Sequence, residues 1–176
     1  MACNLTAGIQ LGCRDNTGGL ATLWITDYTN ITSLSQSAVT DTIYAISGTG
    51  TFYEFQLIRT SSQLTETVNA SLENGTVFYQ GEIVTYFNKL GQDKRNILKT
   101  LAQSQRLAIV AEDNNGQFFY LGQTYGCFIS AGTSVTGKAL GDANGYNMTF
   151  QYLEPNPMNQ LSGSLASIAQ GITVQG

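Results

Sequence analysis

The amino-acid sequence predicts a mainly β protein, a two-sheet β-sandwich or partly closed barrel with one flanking α-helix and extended loop and terminal arms. Many short segments alternate apolar and polar side chains, and turns that contain Gly or Asn separate them. One segment, residues 90–104, has a clear helical period. The 176 residues suffice for one hydrophobic core, so we treat residues 1–176 as a single domain with arms at residues 1–19 and 154–176.

The most regular pattern lies in the middle of the chain. Residues 76–88 alternate β-branched and aromatic side chains with a period of two, which predicts a long strand with one face covered and the other half covered. The period then changes, and a narrow apolar stripe predicts a helix over residues 90–104. The stripe consists of Leu90, Ile97, Leu98 and Leu101. The central prediction is therefore one helix laid against a sheet.

The other strands are predicted from the same period-two pattern. They are residues 20–26, 42–46, 51–59, 63–70, 106–112, 117–121, 124–130 and 146–153. The pair Asn115-Gly116 predicts a hairpin turn, because Asn and Gly adopt positive φ at little energetic cost.

Four segments lack a strong pattern. Residues 27–41 are polar and rich in Thr and Ser, which predicts a long loop with a functional or interfacial use. Residues 131–145 are rich in Gly and predict a second loop. Residues 1–19 and 154–176 predict arms that order only against neighbouring copies. The second arm has one short predicted helix near residues 161–169.

The low content of charged residues bears on the surface of the protein. Charged residues make up 11% of the chain, against roughly a quarter in typical soluble domains. Thr, Ser, Asn, Gln and Gly replace them. A surface this neutral is poorly protected against association, which indicates that other subunits cover much of it. A plain polar surface that uses Thr and Asn in place of Lys and Glu is the alternative.

The charges are also unevenly distributed. Five of the eight basic residues lie within residues 89–106, together with a single acid, Asp93. The rest of the chain carries three basic and eleven acidic residues, a net charge of −8. A basic helix on an acidic body predicts contact with an acidic surface of a neighbouring copy, and a solvated helix face is the alternative. The acidic body argues against tight binding of duplex DNA, which needs many neutralised phosphates.

The residues suited to catalysis are few. Histidine is absent, which removes the commonest general base and the commonest metal ligand. Three carboxylate pairs could do acid–base chemistry but lie in no recognisable motif. They are Glu54 with Glu66, Glu73 with Glu82, and Glu112 with Asp113. We therefore expect no enzyme, no cofactor and no metal site.

The cysteines argue against a disulfide-stabilised or zinc-binding protein, and the hydropathy of the chain argues against a membrane-spanning one. Cys3, Cys13 and Cys127 are odd in number and lack CxxC spacing, which predicts free thiols. No run of about 18 apolar residues occurs, so no membrane span is expected.

Four segments together carry a resemblance to a known family. They read ETVNASLENGTVFYQGEI, NKLGQDKRNILKTLA, RLAIVAEDNNGQFFYLG and AGTSVTGKALGDANGYNMTFQYLEP. Their order is long strand, single amphipathic helix, strand, Asn-Gly turn, strand, Gly-rich loop and final strand. This order resembles the tail-tube proteins of tailed bacteriophages, a family that extends to the tubes of contractile-injection and type VI secretion systems. The resemblance covers roughly residues 60–155.

The resemblance implies a structural role in a virion. Members of this family have two packed β-sheets with a flanking helix, and they form hexameric rings that stack into a hollow tube. The implied partners are further copies of the chain, other phage tail proteins and DNA in transient, non-specific passage, with no membrane. The implied location is the virion tail, after assembly in the host cytoplasm.

Two groups of residues are candidates for contacts between copies. In tail-tube-like proteins an extended loop reaches the next ring, and residues 27–50 are the best placed to do so. The loop group is Ile31, Leu34 and Val39, and the helix group is Lys94, Arg95 and Lys99.

Two other functions stay open at this point. A head–tail connector ring or a capsid decoration protein of a phage could use a related β-sandwich. A carbohydrate-binding β-sandwich would need exposed aromatic side chains on one face. The candidates for such a face are Tyr44, Phe52, Tyr53 and Phe55.

Overall fold

A computed structural model describes residues 7–176 and has two β-sheets, one main helix and no closed barrel. The prediction of a mainly β sandwich with a flanking helix is therefore confirmed. The first strands are β1 (Leu20–Asp27), β2 (Ile31–Gln36), β3 (Ile43–Gly48), β4 (Thr51–Gln56), β5 (Gln63–Ser71) and β6 (Thr76–Asn88). Helix α1 (Gln92–Gln103) precedes β7 (Leu107–Asp113), β8 (Phe118–Leu121), β9 (Cys127–Val135) and β10 (Gly145–Glu154). The last elements are β11 (Asn159–Gln160), α2 (Leu165–Ile168), β12 (Ala169–Gln170) and β13 (Thr173–Gln175).

The main sheet has ten strands and bends sharply at one corner. Its order is β13-β4-β1-β7-β9-β10-β6-β5, with β8 and β11 attached to β7. Strands β7 and β9 pair at a single position, Leu107 with Cys127. The two halves of the sheet turn towards each other there, and the rings of Phe55 on β4 and Phe87 on β6 lie 5.9 Å apart. The sheet thus encloses a core between its own halves.

That enclosed set of side chains is the first core. It consists of Leu20, Leu23, Ile25, Ile83, Leu98, Leu107, Ile109, Ala111, Leu121, Cys127, Met148, Phe150 and Tyr152. Leu98 is the contribution of α1, which lies over the open side between the two halves. Strand β6 alternates as predicted, with Ile83 and Thr85 fully buried and Glu82 and Val84 exposed.

A second core lies on the opposite face of β1 and β7. Its side chains come from these strands, from the small sheet β12-β3-β2 and from the C-terminal segment. It consists of Ile43, Ile46, Phe52, Ala108, Val110, Tyr120, Leu161, Leu165, Ile168 and Ile172. The alternation of β7, with Ile109 in one core and Val110 in the other, explains why all its apolar positions are buried.

The expectation that residues 154–176 form an arm ordered only by neighbouring copies is wrong. Leu161, Leu165, Ile168 and Ile172 are 1–8% exposed and complete the second core. Strands β12 and β13 pair in parallel with β3 and β4, so this segment also extends both sheets. The short predicted helix is present, although it spans four residues, Leu165–Ile168.

Both predicted loops are shorter than expected. Strand β2 occupies Ile31–Gln36, inside the segment predicted as a loop, because Ile31 and Leu34 pack against the second core. Strand β9 continues to Val135, which leaves residues 136–144 as the Gly-rich loop. The Asn-Gly hairpin turn is present between β7 and β8, with Gly116 at φ +74°.

The start of the described chain lies on the surface. Residues 7–18 are exposed and belong to no helix or strand, and residues 1–6, with Cys3, lie outside the described part. The Asn115 side chain holds the end of this segment, accepting from the Thr17 amide and donating to the Thr17 carbonyl at 2.8 Å each. The β7–β8 turn therefore positions the entry into β1.

Candidate interaction site

An open groove with a volume of about 830 Å³ lies between α1, the end of β6 and strands β1 and β4. Tyr53 and Phe55 project into it from β4, and Ile97, Leu98 and Leu101 line it from α1. We call this surface the α1 groove. Its volume falls in the range of about 300–1,000 Å³ that holds a small ligand or a few side chains.

The groove exists because α1 covers the first core incompletely. Leu98 is 7% exposed and covers the core, whereas the preceding residue, Ile97, is 49% exposed. Tyr53 on the facing strand is likewise 54% exposed. Apolar side chains therefore line both walls without meeting each other, which leaves a place for a further apolar side chain.

Polar groups at the groove are held by their own neighbours. Lys94 donates from Nζ to the carbonyl of Asn88, so it ties α1 to the end of β6. Asn30 donates to Thr26 Oγ1 at 2.9 Å, and the Asp27 carboxylate accepts from the Thr29 amide at 3.1 Å. These contacts leave a mainly apolar floor with a polar rim, which suits binding rather than bond chemistry.

The structure separates the two predicted contact groups. Lys94 lines the α1 groove and is half-buried, while Arg95 and Lys99 are exposed on the same helix. Ile31 and Leu34 are half-buried against the second core of their own chain. Val39 is 92% exposed in the turn between β2 and β3. Of the loop group, Val39 alone presents its whole side chain to solvent.

A second surface was not singled out in the sequence. Strands β5 and β6 form a hairpin, and β10 pairs with β6 only from Tyr79 to Asn88. Residues 69–78 therefore project beyond the rest of the sheet as a two-stranded ribbon. Val77 and Phe78 are 55% and 42% exposed in this ribbon, and Leu72 in its turn is fully exposed. Val68, at the base of the ribbon, is 59% exposed. The sequence shows the strand pattern of β6 from Thr76, but only the structure shows that burial begins at Gly81.

Glu66, one of the acids considered for acid–base chemistry, and Glu154, which was not among them, both bond to groups of their own chain. Glu66 accepts from the Tyr152 hydroxyl at 2.7 Å and from the Met158 amide at 2.9 Å, so it fastens β5 to β10 and to the C-terminal segment. Glu154 is 5% exposed and accepts from the amides of Thr124 and Tyr125 at 2.9 and 2.8 Å. Neither carboxylate faces a cavity that could admit a substrate.

Glu112 is the acid whose titration we expect to affect stability. Burial raises the pKa of its carboxyl above the ordinary value, and the negative charges of Asp113 and Glu54 raise it further, against the hydrogen bond from Thr22. The folded chain then holds this proton more tightly than the unfolded chain. Its contribution to stability is therefore largest below the unfolded pKa and is lost as the pH rises through the folded pKa.

Replacing Glu112 by Gln is accordingly expected to raise the melting temperature slightly at pH 7, because the substitution removes an unfavourable charge. The gain should vanish near pH 3.5, roughly below the ordinary Glu pKa, where the wild-type side chain is already neutral. Thermal melts at both pH values measure it, with Glu73→Gln in the exposed β5–β6 turn as the control. An equal gain at both pH values would show that charge is not the cause.

The remaining reactive and aromatic groups are mostly enclosed. Cys127 is fully buried, and burial raises the pKa of its thiol, whereas Cys13 is exposed. Phe52 is also fully buried and Phe55 packs against the first core. Tyr44 and Tyr53 are 56% and 54% exposed but lie on different sheets.

Comparison of the chain with protein-family models, with curated proteins and with solved structures finds no match. Within residues 7–176, no helix is both long and apolar enough to cross a membrane. The same part of the chain contains no group of three or more metal-ligating side chains.

Proposed function

We propose that the chain is a virion structural protein whose copies form hexameric rings that stack into the tail tube of a bacteriophage, the conduit through which DNA passes into the host. The resemblance of residues 60–155 supports this family. The observation that carries the proposal is the free edge of β5. This edge is nine residues long and ends the ten-stranded sheet without a partner strand in the described chain.

A long free edge strand favours association between copies. Its unpaired amide and carbonyl groups are a template for another strand, and soluble proteins usually protect such edges with charge, Pro or a covering element. Strand β5 has one acid, Glu66, which hydrogen-bonds within the chain, and it has no Lys, Arg or Pro. In a closed ring, a neighbouring copy covers this edge in every subunit.

The charge distribution is compatible with a conduit for DNA. A tube that lets DNA pass must not retain it, so the surface that faces the lumen should be acidic or neutral. The chain outside residues 89–106 carries a net charge of −8, which supplies such a surface. The basic helix α1 would then face away from the lumen, towards a neighbouring copy.

Electron microscopy of the purified full chain separates the candidate functions. Stacked rings that form hollow tubes support the tail-tube proposal. Isolated rings favour a head–tail connector, and monomers that bind only to capsids favour a decoration protein. The carbohydrate-binding alternative depends on Tyr44 and Tyr53, and soluble oligosaccharides that change their fluorescence without any assembly would favour it.

The charge of α1 provides a test of assembly in solution. We expect Lys94→Glu combined with Lys99→Glu to weaken ring or tube formation while leaving the fold intact, because the bond from Lys94 to the Asn88 carbonyl lies at the surface and neither side chain belongs to a core. The effect should be largest at low salt, where charges are least screened. Sedimentation velocity across a salt series measures it. Arg59→Glu combined with Lys138→Glu, at two exposed positions outside α1, is the matched control, and equal behaviour of both variants would identify α1 as a solvated face.

A further inference from the structure

The inner face of the β5–β6 hairpin remains apolar beyond the core. Leu64 and Ile83 are paired and face the first core, and the same face continues outward along both strands. It continues through Val68 paired with Tyr79 and then Ala70 paired with Val77. We call these four residues the hairpin face. Val68 and Val77 are more than half exposed, so a core-facing surface extends into solvent without cover from any of residues 7–176.

The hairpin face and the α1 groove lie at opposite ends of one strand. Strand β6 has thirteen residues, with the hairpin turn before Thr76 and with Asn88 lining the groove. An extended strand of that length spans about 40 Å. A hairpin therefore cannot reach the groove of its own chain. A contact between the two surfaces must join different copies, and where each hairpin docks on the next copy in turn the contact is heterologous, the type that forms rings or filaments.

The charges of the two surfaces are complementary. The hairpin from β5 to β6 contains Glu66, Glu73 and Glu82 and no basic residue. Helix α1 carries Lys94, Arg95 and Lys99 against one acid, Asp93. Glu73 in the hairpin turn is exposed, as are Arg95 and Lys99, whereas Glu82 lies on the opposite face of β6 and Glu66 is hydrogen-bonded within its own chain. Asp27 and Glu54 line the groove on the side of β1 and β4, so attraction favours docking with Glu73 of the hairpin towards α1.

We propose that the hairpin face of one copy docks in the α1 groove of a second copy, with Val68 and Val77 against Ile97 and Tyr53. The open apolar walls of the groove receive the β-branched side chains of the hairpin. Glu73, in the turn of the hairpin, meets the basic residues of α1 at the rim. This proposal rests on the proposed function only because both require that copies of the chain associate. It specifies the two surfaces through which they do so.

Disulfide crosslinking between two variants, each with one accessible cysteine, tests the contact. In a background that carries Cys3→Ser and Cys13→Ser, Val77→Cys protein is mixed with Ile97→Cys protein under mild oxidation. Cys127 stays in place because it is buried. We expect heterodimers at about tenfold the yield of the control pair, Val39→Cys with Ile97→Cys. Val39 is 92% exposed, so the control cysteine is at least as reactive.

A charge exchange provides an independent readout. Glu73→Lys should weaken self-association, as should the α1 reversal of Lys94→Glu with Lys99→Glu, and a mixture of the two reversed proteins should recover it. No recovery, or a Val77 yield equal to the control, overturns the proposal. A higher yield with Ile9→Cys, from the exposed N-terminal segment, also overturns it and assigns the groove to that segment.

The two proposals fail in different ways. Tubes seen by microscopy without the Val77–Ile97 crosslink would retain the tail-tube function and reject this contact. If the crosslink forms but the assemblies neither close into rings nor stack into tubes, the contact is supported and the tail-tube function is rejected.

Discussion

Deletion of residues 158–176 is expected to leave a chain that does not fold. The deletion removes Leu161, Leu165, Ile168 and Ile172 from the second core, and it removes the Met158 amide that donates to Glu66. Losing one buried Leu or Ile side chain costs about 2–5 kcal/mol. The loss of four such side chains, about 8–20 kcal/mol, is comparable to the total stability of a typical domain, about 5–15 kcal/mol.

Circular dichroism and urea titration of the truncated chain measure this result. The single substitution Leu165→Ala tests the same core with a smaller change. We expect it to lower the free energy of unfolding by about 2–5 kcal/mol. Ala166→Ser, on the exposed side of α2, is the matched control. A truncated protein that unfolds cooperatively at the wild-type urea concentration would show that the C-terminal segment is a dispensable arm after all.

The sequence predicted the elements whose pattern is long and local. Strand β6 shows its period over thirteen residues, and α1 shows a change of period directly after it. The Asn-Gly turn depends on the chemistry of two adjacent residues. For these elements no distant part of the chain is needed to decide the conformation, and all of them are confirmed.

The sequence did not predict the elements that distant contacts stabilise. Strand β2 has half-buried Ile31 and Leu34 three positions apart, because a register irregularity between Ile31 and Ser33 breaks the period of two. Strands β12 and β13 have two and three residues, too few to show any period. The apolar residues from Leu161 to Ile172 do recur at intervals of four, three and four. That spacing is typical of a buried helical face, but the elements in this segment are too short for the pattern to indicate burial by itself.

The candidate site could be predicted only in part. The basic residues of α1 form a cluster in the sequence, and Lys94 does line the groove. The groove itself depends on how far α1 lies from β4, two elements separated by about forty positions in the chain. The projection of the hairpin depends on where β10 stops pairing with β6, and a single sequence does not encode that register locally.

Substituting Gly81 by Ala is expected to cause the second large loss of stability, because Gly81 is the point at which the hairpin is fixed to the core. A Cβ at this position would overlap the ring of Tyr152, which is 1% exposed and donates from its hydroxyl to Glu66 at 2.7 Å. Displacing the ring should lower the free energy of unfolding about as much as truncating a buried aromatic residue does, about 3–5 kcal/mol. The expected fall in melting temperature is roughly 6–20 °C.

Gly141→Ala is the control, since a Cβ at Gly141 meets nothing within 4 Å. A double-mutant cycle identifies the cause of the loss. In a Tyr152→Ala background the added methyl group has no ring to displace, so Gly81→Ala should then cost less than about 1 kcal/mol. Full additivity of the two losses would instead place the cost in the backbone of β6. Since residues 69–78 project from this point, Gly81→Ala should also reduce the Val77–Ile97 crosslink at temperatures where the variant is still folded.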